Sequence, residues 1–206
     1  MKNNSIPSFV KIIFTFFLGW LLLIWIPYLQ FGTQKLHEDQ ESGDLVPRPL
    51  SGLAVRGSKI YEQNGCATCH TQQARNSRED KVQGYSKRAS VARDYFYQPA
   101  TFAGMNRFGP DLTNVGGRKK SAEWHHQHLF SPQTVSPGSI MPAYGFLYEK
   151  KRIVGQPSAE ALKLPVSVPI EEGYEVIPSE QAKALVAYLL SLDQSYSLPE
   201  SPLIEE

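Results

Sequence analysis

Cys66-Ala67-Thr68-Cys69-His70 holds both cysteines of a 206-residue chain. Its spacing, C-x-x-C-H, is the attachment signature of a c-type haem. Two thiols separated by two residues can add to the two vinyl groups on one edge of a porphyrin. The histidine that follows then faces the iron as its proximal ligand. A disulfide framework would need more cysteines, and a zinc site would need further sulfur or histidine ligands at suitable spacing. A thioredoxin-type redox pair wants a strand before it in a βαβ setting. Here the lead-in from Gly57 to Gly65 reads as helical and ends in glycine.

Upstream, Ile12–Leu29 carries no charge and reaches the length of about 18 residues that a bilayer span needs. A signal peptide has a shorter apolar stretch and a small-x-small cleavage site. This run ends in Pro27-Tyr28-Leu29-Gln30-Phe31, with no Ala-x-Ala. It is apolar on all sides, which a half-buried soluble helix is not. Trp20, Trp25 and Tyr28 fall in its second half, where Tyr28 suits an interface anchor. An uncleaved anchor is therefore expected. Lys2 and Lys11 precede the run without an acid. Lys35 and then Glu38, Asp39, Glu41 and Asp44 follow it. The positive-inside rule puts the N-terminus in the cytoplasm. The rest of the chain is then outside the membrane, where bacteria attach haem c.

The remaining composition excludes more than it assigns. With 21 basic and 20 acidic residues the charges nearly cancel. No basic stripe interleaves with aromatics, so no nucleic-acid partner is expected. There is no glycine-rich phosphate loop and no internal repeat. Fifteen glycines and fifteen prolines make the chain loop-rich, which suits a domain whose cofactor supplies much of its core.

Helix signals frame the motif. Ser51 is a candidate N-cap for a helix running to about Asn64, Ser121 for a short one to Phe130, and Ser179 for one ending at Leu192. In the last, Ala182, Leu185, Val186, Leu189 and Leu190 recur at i, i+3, i+4, i+7 and i+8. Gln83–Tyr97 is expected to be partly helical and Val154–Ile177 a loop. No segment shows sustained strand alternation, so the domain is expected to be mainly α. Five segments are expected: a cytoplasmic N-terminus (1–11), a transmembrane anchor (12–29), a periplasmic stalk (30–51), a haem domain (52–195) and a C-terminal tail (196–206).

The chain has three methionines, and Met1 is excluded as a sixth ligand by its place. In Ser139-Ile140-Met141-Pro142, the proline fixes its own φ and biases Met141 towards an extended backbone. Such a loop is stiff enough to hold a thioether on iron. Met105 lies before Gly109-Pro110 and fits less well. His125, His126 and His128 cluster on the short helix, with His125 and His128 on one face. They leave open a bis-histidine iron or a separate metal.

The order of helix, C-x-x-C-H, Gly109-Pro110-Asp111-Leu112, Met141-Pro142 and C-terminal helix resembles the class I cytochrome c fold. That resemblance implies that the first and last helices cross, with Gly57 and Tyr61 against Tyr188 and Leu189. It implies that the Pro110 carbonyl accepts the His70 Nδ1–H, and that Met141 is the distal ligand. Further blocks narrow the match: Val115-Gly116-Gly117-Arg118, Glu123-Trp124-His125 with His128-Leu129, and Ile140-Met141-Pro142-Ala143-Tyr144. With the gap of roughly forty residues before Gly109 and the anchor, Gly57–Leu147 is similar to the second, mono-haem subunit of cbb3-type cytochrome c oxidases.

That family implies one covalent haem c that relays electrons to a haem–copper subunit reducing O2, beside another cytochrome c subunit in the bacterial inner membrane. Arg118 and Trp124 are candidates for the haem propionates. The one membrane run holds no histidine, so the chain alone is not expected to be catalytic. A free-standing anchored carrier and the cytochrome c subunit of a nitric oxide reductase are the alternatives.

Overall fold

The structure, a computed structural model, describes residues 6–39, 42–104, 106–166 and 168–203. Met1, Lys2, Glu41 and Met105 lie outside them. The chain forms two compact units, Met1–His37 and Glu38–Glu206.

The first unit is one apolar helix, Ile6–Phe31, of 26 residues and with no buried side chain in its span. At 1.5 Å per residue it is about 39 Å long, more than a hydrocarbon core of about 30 Å requires. It starts before Ile12 because Lys11 bears a charge without breaking a helix. Helix α1 (Ile6–Trp20) passes through a π-helical segment, Leu21–Trp25, into α2 (Ile26–Phe31). The Ile26 N–H bonds back to the Leu21 carbonyl. The widening falls just before Pro27, which has no N–H to give its preceding turn. This helix fits a membrane anchor.

The second unit is mainly α. Helix α3 (Gly52–Gln63) begins where Ser51 Oγ accepts the Ala54 N–H at 3.1 Å. Short helices α4 (Arg78–Val82) and α5 (Val115–Arg118) follow. Then come α6 (Ala122–Phe130), capped by Ser121, and α7 (Pro132–Val135). Helix α8 (Glu180–Ser191) starts with Ser179 Oγ accepting the Ala182 N–H.

The core lies where α3 crosses α8. Tyr61 meets Tyr188 edge to face, with ring centroids 5.5 Å apart, and Phe102 closes on Tyr61 at 5.2 Å. Ala54, Leu185 and Leu189 are buried around them. Burying an aromatic side chain of this size contributes roughly 2–3 kcal/mol.

One expectation is corrected. Strand β1 (Tyr148–Arg152) pairs antiparallel with β2 (Tyr174–Pro178), Tyr148 opposite Pro178 and Arg152 opposite Tyr174. Val154–Ile177 is therefore not all loop. Gln83–Tyr97 is partly helical, through the 3-10 helix Ala92–Tyr95, and Gly84 turns the chain before it with a positive φ of 62°. Within 30–51, Val46 is buried. Part of the segment expected as a tail packs against the domain. Tyr196 bonds to the buried Asp94 carboxylate, Ser201 Oγ donates to the Ala89 carbonyl, and Leu198 is buried.

Candidate haem site

Helix α3 ends at Gln63, and Gly65 takes a left-handed φ of 66° that only glycine adopts freely. The chain then winds into a 3-10 turn, Cys66–Thr68. The N–H groups of Cys69 and His70 both reach the Cys66 carbonyl, at 3.2 and 3.0 Å. This one turn presents Cys66, Cys69 and His70 to the same cavity. Burial pushes the Cys66 thiol up to about 11, so it stays protonated at neutral pH.

His70 is oriented from behind. Its Nδ1 lies 2.8 Å from the Pro110 carbonyl oxygen. A carbonyl can only accept, so Nδ1 carries the proton and Nε2 is left for a metal. Burial lowers the imidazole pKa, opposed by the Pro110 bond and by Asp111, which favours the neutral, metal-binding form. Gly109 gives the ring its space: a Cβ there would come within 2.3 Å of His70 Cε1.

The cavity measures about 760 Å³, within the range of about 300–1,000 Å³ typical of cofactor pockets. Cys66, Cys69, His70, Pro110, Arg118, Trp124 and Met141 all line it. Leu112, Val115, Leu129, Leu185 and Leu189 make its walls apolar. Phe108 and Ile140 also line it and are exposed. A nitrogen donor, a thioether and two thiols in one apolar cavity fit a haem. Buried in the same lining, Arg118 Nε has no hydrogen-bond partner among the described residues, so the guanidinium keeps a donor that an acidic group could take.

Met141 is reached through a loop in which its N–H bonds to Ser139 Oγ at 3.2 Å. The histidines divide. His125 gives Nε2–H to the Lys119 carbonyl at 2.8 Å. His126 bonds to the Tyr148 hydroxyl and does not line the cavity. His128 stacks on Trp124, centroids 4.8 Å apart and planes 10° from parallel. Burial, then His70, His125 and Lys119, hold its pKa down at about 4. Among the described residues no group of three or more His, Cys, Asp or Glu side chains could hold a separate metal ion.

Arg118 Nη2 donates to the Asp111 carbonyl at 2.7 Å, and its guanidinium sits 5.6 Å from the Tyr85 ring centre. Lys119 Nζ lies 5.0 Å from the centre of the Trp124 ring. Sequence reasoning passed over Lys119 and, more importantly, Asp111. The Asp111 carboxylate is buried and accepts from Thr71, Gln73 and Thr113. The Thr113 bond, two residues on, is the one local signal: Asp in a turn commonly bonds this way.

No curated protein matches the chain. A family model does, that of the cytochrome c oxidase mono-haem subunit, FixO, over residues 9–195. The matched stretch takes in most of the apolar helix and every residue of the cavity. It also bears out the resemblance to cbb3-type oxidase subunit II: the chain belongs to the cytochrome c oxidase mono-haem subunit family, FixO.

Proposed function

We propose that the chain carries one haem c, bound covalently through Cys66 and Cys69, and relays electrons to the haem–copper subunit of its oxidase, where O2 is reduced. One observation carries the reading: both thiols, a histidine with Nδ1 already tied to Pro110, and Met141 line a single apolar cavity. When bound, haem c supplies one-electron Fe(III)/Fe(II) cycling. The protein's residues do the rest. Cys66 and Cys69 present the thiols that add to two vinyl groups, and His70 offers Nε2 to the iron. Met141 offers its thioether, which His/Met sites use to reach a higher potential than bis-histidine sites.

His125 is a poorer candidate than Met141, because its Nε2 is spent on Lys119. Arg118 and Trp124, both in the cavity lining, would hold the haem propionates. The apolar walls exclude water, which limits the reorganisation that a change of charge on the iron demands.

In this reading the apolar helix anchors the protein once in the bacterial inner membrane, N-terminus in the cytoplasm. The haem domain lies on the periplasmic side, beside another cytochrome c subunit. The family match favours an oxidase over a nitric oxide reductase or a free-standing carrier. Acid–acetone extraction of the detergent-purified protein tests attachment: haem must stay on the polypeptide, and free haem in the extract would refute it. Copurification with a large haem–copper subunit tests the partner.

A further inference from the structure

The segment after the haem motif and the turn that orients His70 run side by side. Gly109 N–H bonds to the Cys69 carbonyl at 3.0 Å and Leu112 N–H to the Thr71 carbonyl at 2.8 Å. Between them sits the Asp111 carboxylate, fully buried. One oxygen takes the Thr71 hydroxyl at 2.5 Å and the Gln73 N–H at 2.9 Å; the other takes the Thr113 N–H at 2.9 Å. Arg107 braces this clamp from outside. Its Nε donates to Thr71 Oγ1 at 2.8 Å, its Nη2 donates to the Gln73 carbonyl and lies 3.5 Å from Asp111, and it pairs with the buried Asp80.

We infer that Asp111, with Thr71, is a positioning residue for His70: the clamp fixes the Pro110 carbonyl against Nδ1–H and so sets the donor strength of the imidazole. The inference rests on the proposal that His70 ligates the haem. Pro110 is the residue before Asp111, and its carbonyl belongs to the peptide unit that leads into the clamped turn, so loosening the turn frees the carbonyl to shift. A tight Nδ1–H···O bond leaves more electron density on Nε2 and raises its basicity. A basic ligand favours Fe(III) over Fe(II). Loosening the clamp should then raise the reduction potential. Nothing in this effect requires a change of ligand.

The test uses the full-length haem-loaded protein in detergent. Thr71→Val keeps the buried shape and removes the hydroxyl; Thr71→Ser restores it. Asp111→Asn cannot serve all three donors, because one of its two terminal atoms is itself a donor. In Thr71→Val, exchange of the His70 Nδ1–H with solvent, read by NMR, should speed up about tenfold, as loss of one bond to a charged acceptor implies. The haem potential should rise, and Thr71→Ser should return both to the wild-type values. If Asp111→Asn folds it should move both the same way; Thr71→Val carries the test if it does not. A Thr71→Val protein that melts earlier but keeps the wild-type exchange rate and potential would make the clamp a packing contact only and overturn the inference. So would a Thr71→Ser variant that behaves like Thr71→Val. An unmutated protein whose haem lacks histidine ligation by His70 would instead overturn the underlying haem assignment.

Discussion

Gly57 lies directly against Ala184: a Cβ built at Gly57 would come within 1.9 Å of the Ala184 carbonyl oxygen and 2.7 Å of Tyr188 Cβ. Helix propensity alone would make Gly57→Ala stabilising by about 1 kcal/mol. The clash decides the sign, because the obstacle is backbone and cannot rotate away. Overpacking of this kind costs about 1–3 kcal/mol, and Gly57→Ala should fall at or beyond the upper end. Urea denaturation measures it, and a variant as stable as the wild type would contradict the close crossing of α3 and α8.

Met141→Leu probes the proposed sixth ligand. The ferric protein should show a weak near-infrared band from sulfur-to-iron charge transfer. The substitution should abolish it, lower the potential and let carbon monoxide reach the ferrous iron, with the haem still attached. If Met141→Leu keeps the band and Met105→Leu or His125→Ala instead changes the iron's ligand spectrum, Met141 is not the ligand.

Arg88 and Asp94 form an ion pair with neither side chain exposed, 2.6 Å at its shortest. Tyr196 gives its hydroxyl to the same carboxylate at 2.8 Å. Asp94→Ala leaves a buried guanidinium without its counter-charge, a loss that typically costs about 3–5 kcal/mol. The partly exposed pair Arg93–Glu200 should matter far less, with Glu200→Ala costing under about 1 kcal/mol. Equal effects of the two substitutions would show that the buried pair is not what holds 194–201 in place.

His126 gives the domain an acid dependence. Burial first, then His125 and Lys183, lower its pKa from 6.5 to about 4. Below pH 6.5 the unfolded chain takes up a proton that the folded one refuses. The stability from the neutral ring is complete above about pH 6.5 and is lost as pH falls through that window towards 4. His126→Gln should flatten the slope of melting temperature against pH between those limits. An unchanged slope would assign the acid loss to other groups.

What could be foreseen from sequence follows what is local. Ser51, Ser121 and Ser179 start α3, α6 and α8 because a cap and an apolar period lie within a few residues of each other. The C-x-x-C-H block and the Met-Pro loop carry their chemistry in adjacent residues, and all seven marked positions line one cavity. The β1–β2 pair was illegible because β1 is charged and exposed beyond Tyr148, so it carries no alternation. Strand β2 buries Val176 and Pro178 on one face, but five residues are too few for that period to stand out. Tyr196 reads as part of a polar segment because its partner, Asp94, is 102 positions away in the chain. The part played by Asp111 is hidden for the same reason: Thr71 is forty positions upstream.

The meeting of α3 with α8 also bears on the order of events as the polypeptide is made. The bond from Tyr188 Oη to Gln72 Oε1 spans 116 positions, and that from Arg88 Nε to the Tyr196 carbonyl spans 108. Contacts this distant in sequence must close a large loop before they return any energy, and they slow folding. Leu185 and Leu189, part of the cavity wall, come from α8, well over a hundred positions after the attachment motif. A nascent chain that has released Cys66 and His70 therefore holds an attachment motif that is ready but unroofed, and it stays so until Glu180–Ser191 arrives.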